Sequence, residues 1–82
     1  MIFVGEVKRA LGDFHGSLED LNKADAIEPN DPDTLKQRGV TKKMMNDVQG
    51  AFGDLSKAVT LAPHDTFAKT HLQNVALLMH PK

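Results

Sequence analysis

The chain has 82 residues and a mass of 9.0 kDa, which limits it to one small domain and excludes an enzyme with a separate substrate domain. It contains no Cys, so neither disulfide bonds nor a cysteine-ligated zinc ion stabilises it. Its 10 Lys and Arg nearly balance 11 Asp and Glu, which excludes the strongly basic surface of many nucleic-acid-binding proteins. It has no membrane-length apolar run and no signal-peptide pattern, so we expect no membrane association and an intracellular, cytoplasmic location.

Turn-forming residues divide the chain into five predicted helices, at about residues 1–11, 14–28, 32–45, 48–62 and 66–79. Gly12 and Asn46 tolerate the left-handed backbone conformation that follows a helix C-terminus. The Asp after each of them is suited to cap the next helix. Asp31 is a predicted N-cap as well, because Pro32 can occupy the first helical position, where a missing N–H costs nothing. No segment shows the alternation of a strand, so we predict an all-α fold.

The sequence repeats itself with a period of 34 residues and without gaps. Ten residues are identical to their counterparts 34 positions later, namely Gly5/Gly39, Lys8/Lys42, Asp13/Asp47, Gly16/Gly50, Asp20/Asp54, Leu21/Leu55, Lys23/Lys57, Ala24/Ala58, Pro29/Pro63 and Asp31/Asp65. This period predicts two copies of one helix–turn–helix unit, at residues 1–31 and 32–65. Residues 66–82 then form a separate last segment.

The second helix of each unit carries an apolar stripe at helical spacing. The predicted core residues are Phe14, Ser17, Leu18, Leu21, Ala24 and Ile27 in the first unit, and Val48, Ala51, Phe52, Leu55, Ala58 and Leu61 in the second. Their small members predict close approach between helices. Helix 32–45 instead carries polar residues among its apolar ones, so we expect one of its faces to be solvated; the polar residues are Lys36, Gln37, Arg38, Lys42 and Lys43.

A gapless 34-residue helix–turn–helix repeat with Gly, small residues and Pro at these places resembles the tetratricopeptide repeat family. The residues that carry the resemblance are Gly5, Gly12, Asp13, Phe14, Ser17, Ala24 and Pro29, then Gly39, Asp47, Val48, Ala51, Ala58 and Pro63. The resemblance implies a right-handed α-solenoid of antiparallel helix pairs. It also implies that residues 66–82 are either a capping helix or the first helix of a third repeat. Because the first repeat lacks its opening residues, the chain resembles a fragment of a longer array.

Members of this family usually bind an extended peptide or a helix in the concave groove lined by the first helix of each repeat. By this resemblance the groove contains Glu6, Arg9, Lys36, Gln37, Val40, Lys43, Met44, His71 and Asn74. Its cationic side chains favour an acidic peptide or a free carboxylate. We therefore predict a non-catalytic scaffold with a protein or peptide partner.

One subclass of the family clamps the C-terminal carboxylate of a peptide with Lys, Asn and Arg side chains. The equivalent positions here are Ile2, Glu6, Gln37, Phe67 and His71. Ile2, Glu6 and Phe67 offer the carboxylate no hydrogen-bond donor. We therefore do not expect this clamp.

The alternative function is a structural or self-association segment of a longer repeat protein. The last helix carries apolar residues such as Leu72 and Val75 on one face and Phe67 and Leu78 on another. One neighbouring helix cannot cover both faces. This surplus of apolar surface predicts a homo-oligomer formed through the terminal helices.

Other function classes find little support in the sequence. No two His stand at the i, i+4 spacing that places two imidazoles on one helical face, so we predict neither a metal site nor a catalytic His pair. No Gly-rich segment has the spacing of a phosphate-binding loop, so no cofactor is expected. The chain has 4 Phe, no Trp and no Tyr, which argues against stacking on nucleic-acid bases.

Overall fold

The computed structural model describes residues 7–79, and this part of the chain is all helical. Its helices are α1, which is described over residues 7–10, α2 at Phe14–Ile27, α3 at Pro32–Met44, α4 at Val48–Leu61 and α5 at Thr66–Met79. The ends of α2 to α5 lie within one residue of the predicted bounds. The start of the predicted first helix lies outside the described residues. The all-α prediction is therefore confirmed for the described residues.

The two turns inside the repeats have the same construction. Gly12 and Asn46 adopt φ values of 87° and 69°, in the left-handed region that favours Gly and Asn. The carboxylates of Asp13 and Asp47 then accept hydrogen bonds from the backbone N–H three residues later, at 2.9 and 3.0 Å. Each bond satisfies a donor that the first helical turn leaves unpaired. The predicted turns and caps are confirmed.

The turns between the repeats also use an Asp cap. Asp31 accepts a hydrogen bond from the N–H of Asp33 at 3.0 Å, and Pro32 begins α3 as predicted. The carboxylate of Asp65 accepts bonds from the N–H groups of Phe67 and Ala68, at 3.0 and 3.3 Å. Every connection is therefore short, and consecutive helices are forced to turn back on one another.

Helix α3 lies at the centre of the described fold. It packs against α2 on one side and against α4 on the other, while α5 packs mainly on α4 and touches α3 over a smaller area. Leu35 from α3 contacts Ala58 and Ala68 in one apolar cluster. Leu55 and Val75 belong to a second cluster, between α4 and α5. Each fully buried Leu contributes about 1.5–3 kcal/mol to the free energy of unfolding.

Among the glycines of α3 and α4, Gly39 lies where the two helices approach each other most closely. A Cβ atom added to Gly39 would lie 2.7 Å from Cγ of Leu55 and 3.4 Å from the carbonyl oxygen of Ala51. The 2.7 Å distance is well below van der Waals contact, so any side chain at position 39 would require Leu55 to shift. The identity of Gly5 and Gly39 in the repeat therefore has a packing reason at position 39.

The predicted core stripes are correct at their centres and wrong at their edges. Leu21 and Leu55 are completely buried, as are most of the small residues in the stripes. In contrast, Ile27 is 85 % exposed, Leu61 44 % and Phe52 37 %. Among residues 7–79, the neighbouring helices therefore leave these side chains of α2 and α4 partly or largely open to solvent. A helical period alone does not say how wide the covered sector is.

The expectation of a solvated face on α3 is also wrong, because the charged side chains of this helix are largely covered. The side chains of Lys36, Arg38 and Lys42 are 16 %, 14 % and 21 % exposed. Arg38 donates to both carboxylate oxygens of Asp54, at 2.9 and 3.0 Å, and Lys42 lies 3.0 Å from the same group. The cationic side chains of α3 therefore form contacts between helices as much as they interact with solvent.

Candidate functional site

Contacts between helices bring several of the predicted groove residues onto one surface. The guanidinium of Arg9 in α1 donates to the carbonyl oxygen of Gln37 in α3 at 3.2 Å. The ammonium of Lys43 in α3 lies 2.9 Å from Nδ1 of His71 in α5. We call this surface the α1–α3–α5 face and define it by Arg9, Lys36, Lys43, Met44, His71 and Asn74.

The part of α3 between these two contacts carries the apolar component of the α1–α3–α5 face. Successive residues of a helix are about 100° apart, which places Val40 and Met44 between Gln37 and Lys43 around the helix axis. Val40 and Gln37 are only 6 % and 8 % exposed, whereas Met44 is 51 % exposed. Val40 and Gln37 therefore form the floor of this surface, and Met44 stands above it.

The buried amide of Gln37 is incompletely hydrogen-bonded. Its Oε1 atom is inaccessible to solvent and has no donor among the residues that the structure describes. A buried polar atom without a partner lowers stability, and such atoms are rare in folded proteins. The floor of the α1–α3–α5 face thus contains an unused hydrogen-bond acceptor.

Lys36 is held by two carboxylates of its own chain. Its ammonium lies 2.8 Å from Asp65 and 3.4 Å from Asp33, and 5.2 Å from the centre of the Phe67 ring. Burial lowers the pKa of Lys36, but the hydrogen bonds and charges of Asp65 and Asp33 outweigh burial and raise it overall. The positive charge of Lys36 is therefore largely compensated by the carboxylates of Asp65 and Asp33.

Lys43 has a different environment from Lys36. Its hydrogen-bond partner is Nδ1 of His71, and among residues 7–79 it forms no ion pair. Because an ammonium only donates, Nδ1 of His71 accepts this bond and the ring proton resides on Nε2. Burial lowers the pKa of His71, and the charges of Lys43 and Arg9 lower it further. This part of the face therefore holds two cations beside a neutral imidazole.

The remaining predicted site residues lie at the edges of this surface. Asn74 is exposed on α5, one turn beyond His71. The ring of His71 packs against that of Phe67, with centroids 4.4 Å apart and an interplanar angle of 48°. Glu6 lies outside the described residues.

Sequence reasoning missed the second role of Asp65. The identity of Asp31 and Asp65 in the repeat indicates a helix cap, but it gives no sign of the ion pair with Lys36. Residues so far apart in sequence meet only through the packing of α5 beside α3. No pattern in the sequence therefore indicates the ion pair between Lys36 and Asp65.

A depression lies on the surface of α2. It has a volume of about 420 Å³ and is wide open, and its lining residues are His15, Leu18, Glu19, Asn22, Lys23 and Ala26. All of these belong to one helix, so no side chains converge on a bound group from different directions. The α1–α3–α5 face, which three helices build, is the stronger candidate site.

Neither a metal centre nor a membrane-spanning segment is evident in the described part of the chain. Residues 7–79 contain no cluster of three or more His, Asp or Glu side chains suited to hold a metal ion. No helix among them combines the length and the apolar character needed to cross a membrane. In comparisons with known proteins, no protein-family model matches the chain. No curated protein matches it significantly either.

Proposed function

We propose that the chain is a non-catalytic scaffold of tetratricopeptide-like repeats that binds an extended peptide or a helix of another protein. The binding surface in this proposal is the α1–α3–α5 face. The observation that carries it is the pair of contacts Arg9–Gln37 and Lys43–His71, which join three helices around the exposed side chain of Met44. Polar groups beside an exposed apolar side chain suit a peptide, which presents both kinds of group.

The solenoid arrangement within this proposal is supported by repeated packing. Ser17 of α2 contacts Thr41 of α3, and their counterparts 34 residues later, Ala51 and Val75, lie in one apolar cluster between α4 and α5. The two helix pairs thus meet in the same register. Repeating one such step generates a solenoid, in which the first helix of each repeat lines the concave side.

In this proposal α5 is a capping helix rather than the start of a third repeat. Its residue at the position equivalent to Gly39 is Gln73, which is exposed. A Cβ at Gly39 would overlap Leu55 of α4, so a following helix cannot approach Gln73 in the geometry with which α4 approaches α3.

A peptide selection tests the proposed binding surface. Peptides selected from a random library against the whole chain are measured by calorimetry against the variant Met44→Lys. Leu61→Lys is the matched control, because Met44 and Leu61 each end a helix and are 51 % and 44 % exposed. We expect Met44→Lys to weaken the selected peptides roughly 10-fold or more, as for a central interface residue. Leu61→Lys is expected to leave affinity unchanged, and equal losses in both variants would contradict the proposal.

The alternative is a structural or self-association segment, and a specific observation favours it. Leu77 and Leu78 near the end of α5 are 69 % and 57 % exposed, and Leu11 before α2 is 80 % exposed. Apolar side chains this open often mark contacts between proteins. Under this alternative, the mass from light scattering rises above 9.0 kDa with concentration, and Leu77→Lys with Leu78→Lys restores the monomer without loss of helicity. A constant monomeric mass would eliminate it.

A further inference from the structure

We propose that α1 and α2 move as one unit, which opens from α3, α4 and α5 at the contact between α2 and α3. This inference rests on the proposed function, because it concerns the regulation of the same face. In the closed form Arg9 of α1 donates to the carbonyl oxygen of Gln37 in α3. Opening therefore separates α1 from the other two helices of the α1–α3–α5 face. A peptide that contacts all three helices stabilises the closed form.

The contact between α2 and α3 is a polar version of the contact between α4 and α5. The hydroxyls of Ser17 and Thr41 are 3.0 Å apart. Arg38 of α3 donates to Asn22 and Asp25 of α2, at 3.1 and 3.3 Å. The counterparts of these five residues 34 positions later are Ala51, Val75, Leu72, Ser56 and Val59. All four apolar counterparts belong to the two apolar clusters of the fold or pack against them. The same positions therefore form hydrogen bonds in the first contact and mainly apolar packing in the second.

Opening at α2 leaves the polar groups of this contact with other partners. Arg38 keeps two hydrogen bonds to Asp54 of α4, at 2.9 and 3.0 Å. The Thr41 hydroxyl keeps its bond to the carbonyl oxygen of Gln37 within α3. The α2 side chains that Arg38 releases are hydrated instead, and such an exchange of partners changes the free energy little. Opening between α4 and α5 would instead expose apolar side chains such as Val75 to water, with no compensation.

Each of the two units is held together by contacts of its own. The ammonium of Lys8 lies 2.9 Å from Asp20 in the first unit, and their counterparts Lys42 and Asp54 are 3.0 Å apart in the second. Among the described helices α3, α4 and α5, only α3 packs against α2, whereas α4 packs against both α3 and α5. A repeat protein opens first at its weakest contact between neighbouring units. In this fold that contact lies between α2 and α3.

Amide hydrogen exchange of the whole chain, followed by NMR, tests the opening with matched pairs of buried residues. Leu21 and Leu55 both follow Asp, and Ala24 and Ala58 both follow Lys, so the intrinsic exchange rates match within each pair. A detached pair of short helices is marginally stable in water, so its amides exchange in the open form. We expect Leu21 and Ala24 to exchange roughly 100-fold faster than their counterparts. Val75 in α5 controls for fraying at both ends and should be as protected as Leu55. Equal rates within the pairs, or equally fast exchange at Val75, would overturn the inference.

Thiol labelling measures the same opening at the contact itself, because the chain contains no Cys. Thr41→Cys and Val75→Cys place single thiols at counterpart positions that are both completely buried. We expect iodoacetamide to label the Thr41→Cys protein roughly 10-fold faster or more, since its thiol is uncovered when α2 leaves α3. Circular dichroism verifies the fold of each variant, and Ser17→Cys with Ala51→Cys replaces the pair if either variant is unfolded. Equal labelling of the two thiols would contradict an opening at this contact.

A peptide selected against the whole chain, as described under the proposed function, tests the link between the opening and the α1–α3–α5 face. At about 100 times its Kd, a peptide that binds only the closed form should slow exchange at Leu21 and Ala24 about 100-fold. Unchanged exchange at these two amides in the peptide complex would overturn the link. If no peptide is selected, the proposed function fails, whereas the comparison of Thr41→Cys with Val75→Cys still decides whether α1 and α2 open from α3.

Discussion

The hydroxyl groups of Ser17 and Thr41 are 3.0 Å apart in the buried contact between α2 and α3. The Thr41 hydroxyl donates its single proton to the carbonyl oxygen of Gln37, also at 3.0 Å. Ser17 is therefore the donor in the hydrogen bond to Thr41. The counterparts 34 residues later, Ala51 and Val75, are equally buried and carry no side-chain polar atom. One packing arrangement is thus built with a hydrogen-bonded pair in the first repeat and an apolar pair in the second.

This relationship predicts strong coupling between substitutions at Ser17 and Thr41. Thr41→Val leaves the buried Ser17 hydroxyl without its acceptor and should cost about 1–3 kcal/mol of unfolding free energy. Ser17→Ala removes one hydrogen bond and should cost about 1 kcal/mol. The double variant copies the apolar pair of the second repeat, so its loss should be smaller than the sum. Urea unfolding of the four proteins measures the coupling, and additive losses would contradict this account.

Gly39→Ala should destabilise the protein by overpacking the contact between α3 and α4. The new Cβ would lie 2.7 Å from Cγ of Leu55, and such overpacking costs about 1–3 kcal/mol. Gly53→Ala is the matched control, because a Cβ at Gly53 in α4 meets no atom within 4 Å. At Gly53 the substitution should be neutral or stabilising by about 0.5–1 kcal/mol through helix propensity. Thermal unfolding compares the two, and a stabilising Gly39→Ala would refute the close packing.

Arg38→Lys should also destabilise the protein, although it preserves the charge. Arg38 contacts both oxygens of Asp54 in α4 and reaches Asn22 and Asp25 in α2, at 2.9 to 3.3 Å. A Lys ammonium is a point donor and cannot span these acceptors. We expect a loss of about 1–3 kcal/mol, measured by denaturant unfolding. Arg38→Met should lose at least as much, and an unchanged midpoint for Arg38→Lys would show that the bridging geometry is unimportant.

Acid should weaken the protein partly through Asp65. The hydrogen bond from Lys36 lowers the pKa of Asp65 below 3.8, helped by the N–H groups of Ala68 and Phe67. A carboxyl group with a lowered pKa stabilises the fold above its unfolded pKa, and this contribution disappears as the pH falls through the folded pKa. Asp65→Asn retains a capping oxygen but not the charge. Its unfolding free energy should therefore fall less than that of the wild type between pH 5 and pH 2, and parallel curves would exclude this role.

The local features of the fold could be predicted because they depend on residues close in sequence. Gly12 and Asn46 end their helices through backbone conformations that their own side chains permit. Asp13 and Asp47 cap helices through bonds to an N–H three residues away. The 34-residue period then repeats these local signals, so the bounds of α2 to α5 could be predicted from the sequence alone.

The tertiary structure decided which side chains are covered and which charges remain available. Ile27 and Leu21 lie on the same predicted stripe, yet one is 85 % exposed and the other completely buried, because burial depends on which sector a neighbouring helix covers. Lys36 and Lys43 look equivalent in the sequence, but packing brings Asp65 to the first and His71 to the second. These partners lie about eight helical turns away along the chain, beyond the reach of any local pattern. Coulomb and hydrogen-bond energies depend on distance in space, so only the packed helices determine which partner each lysine meets.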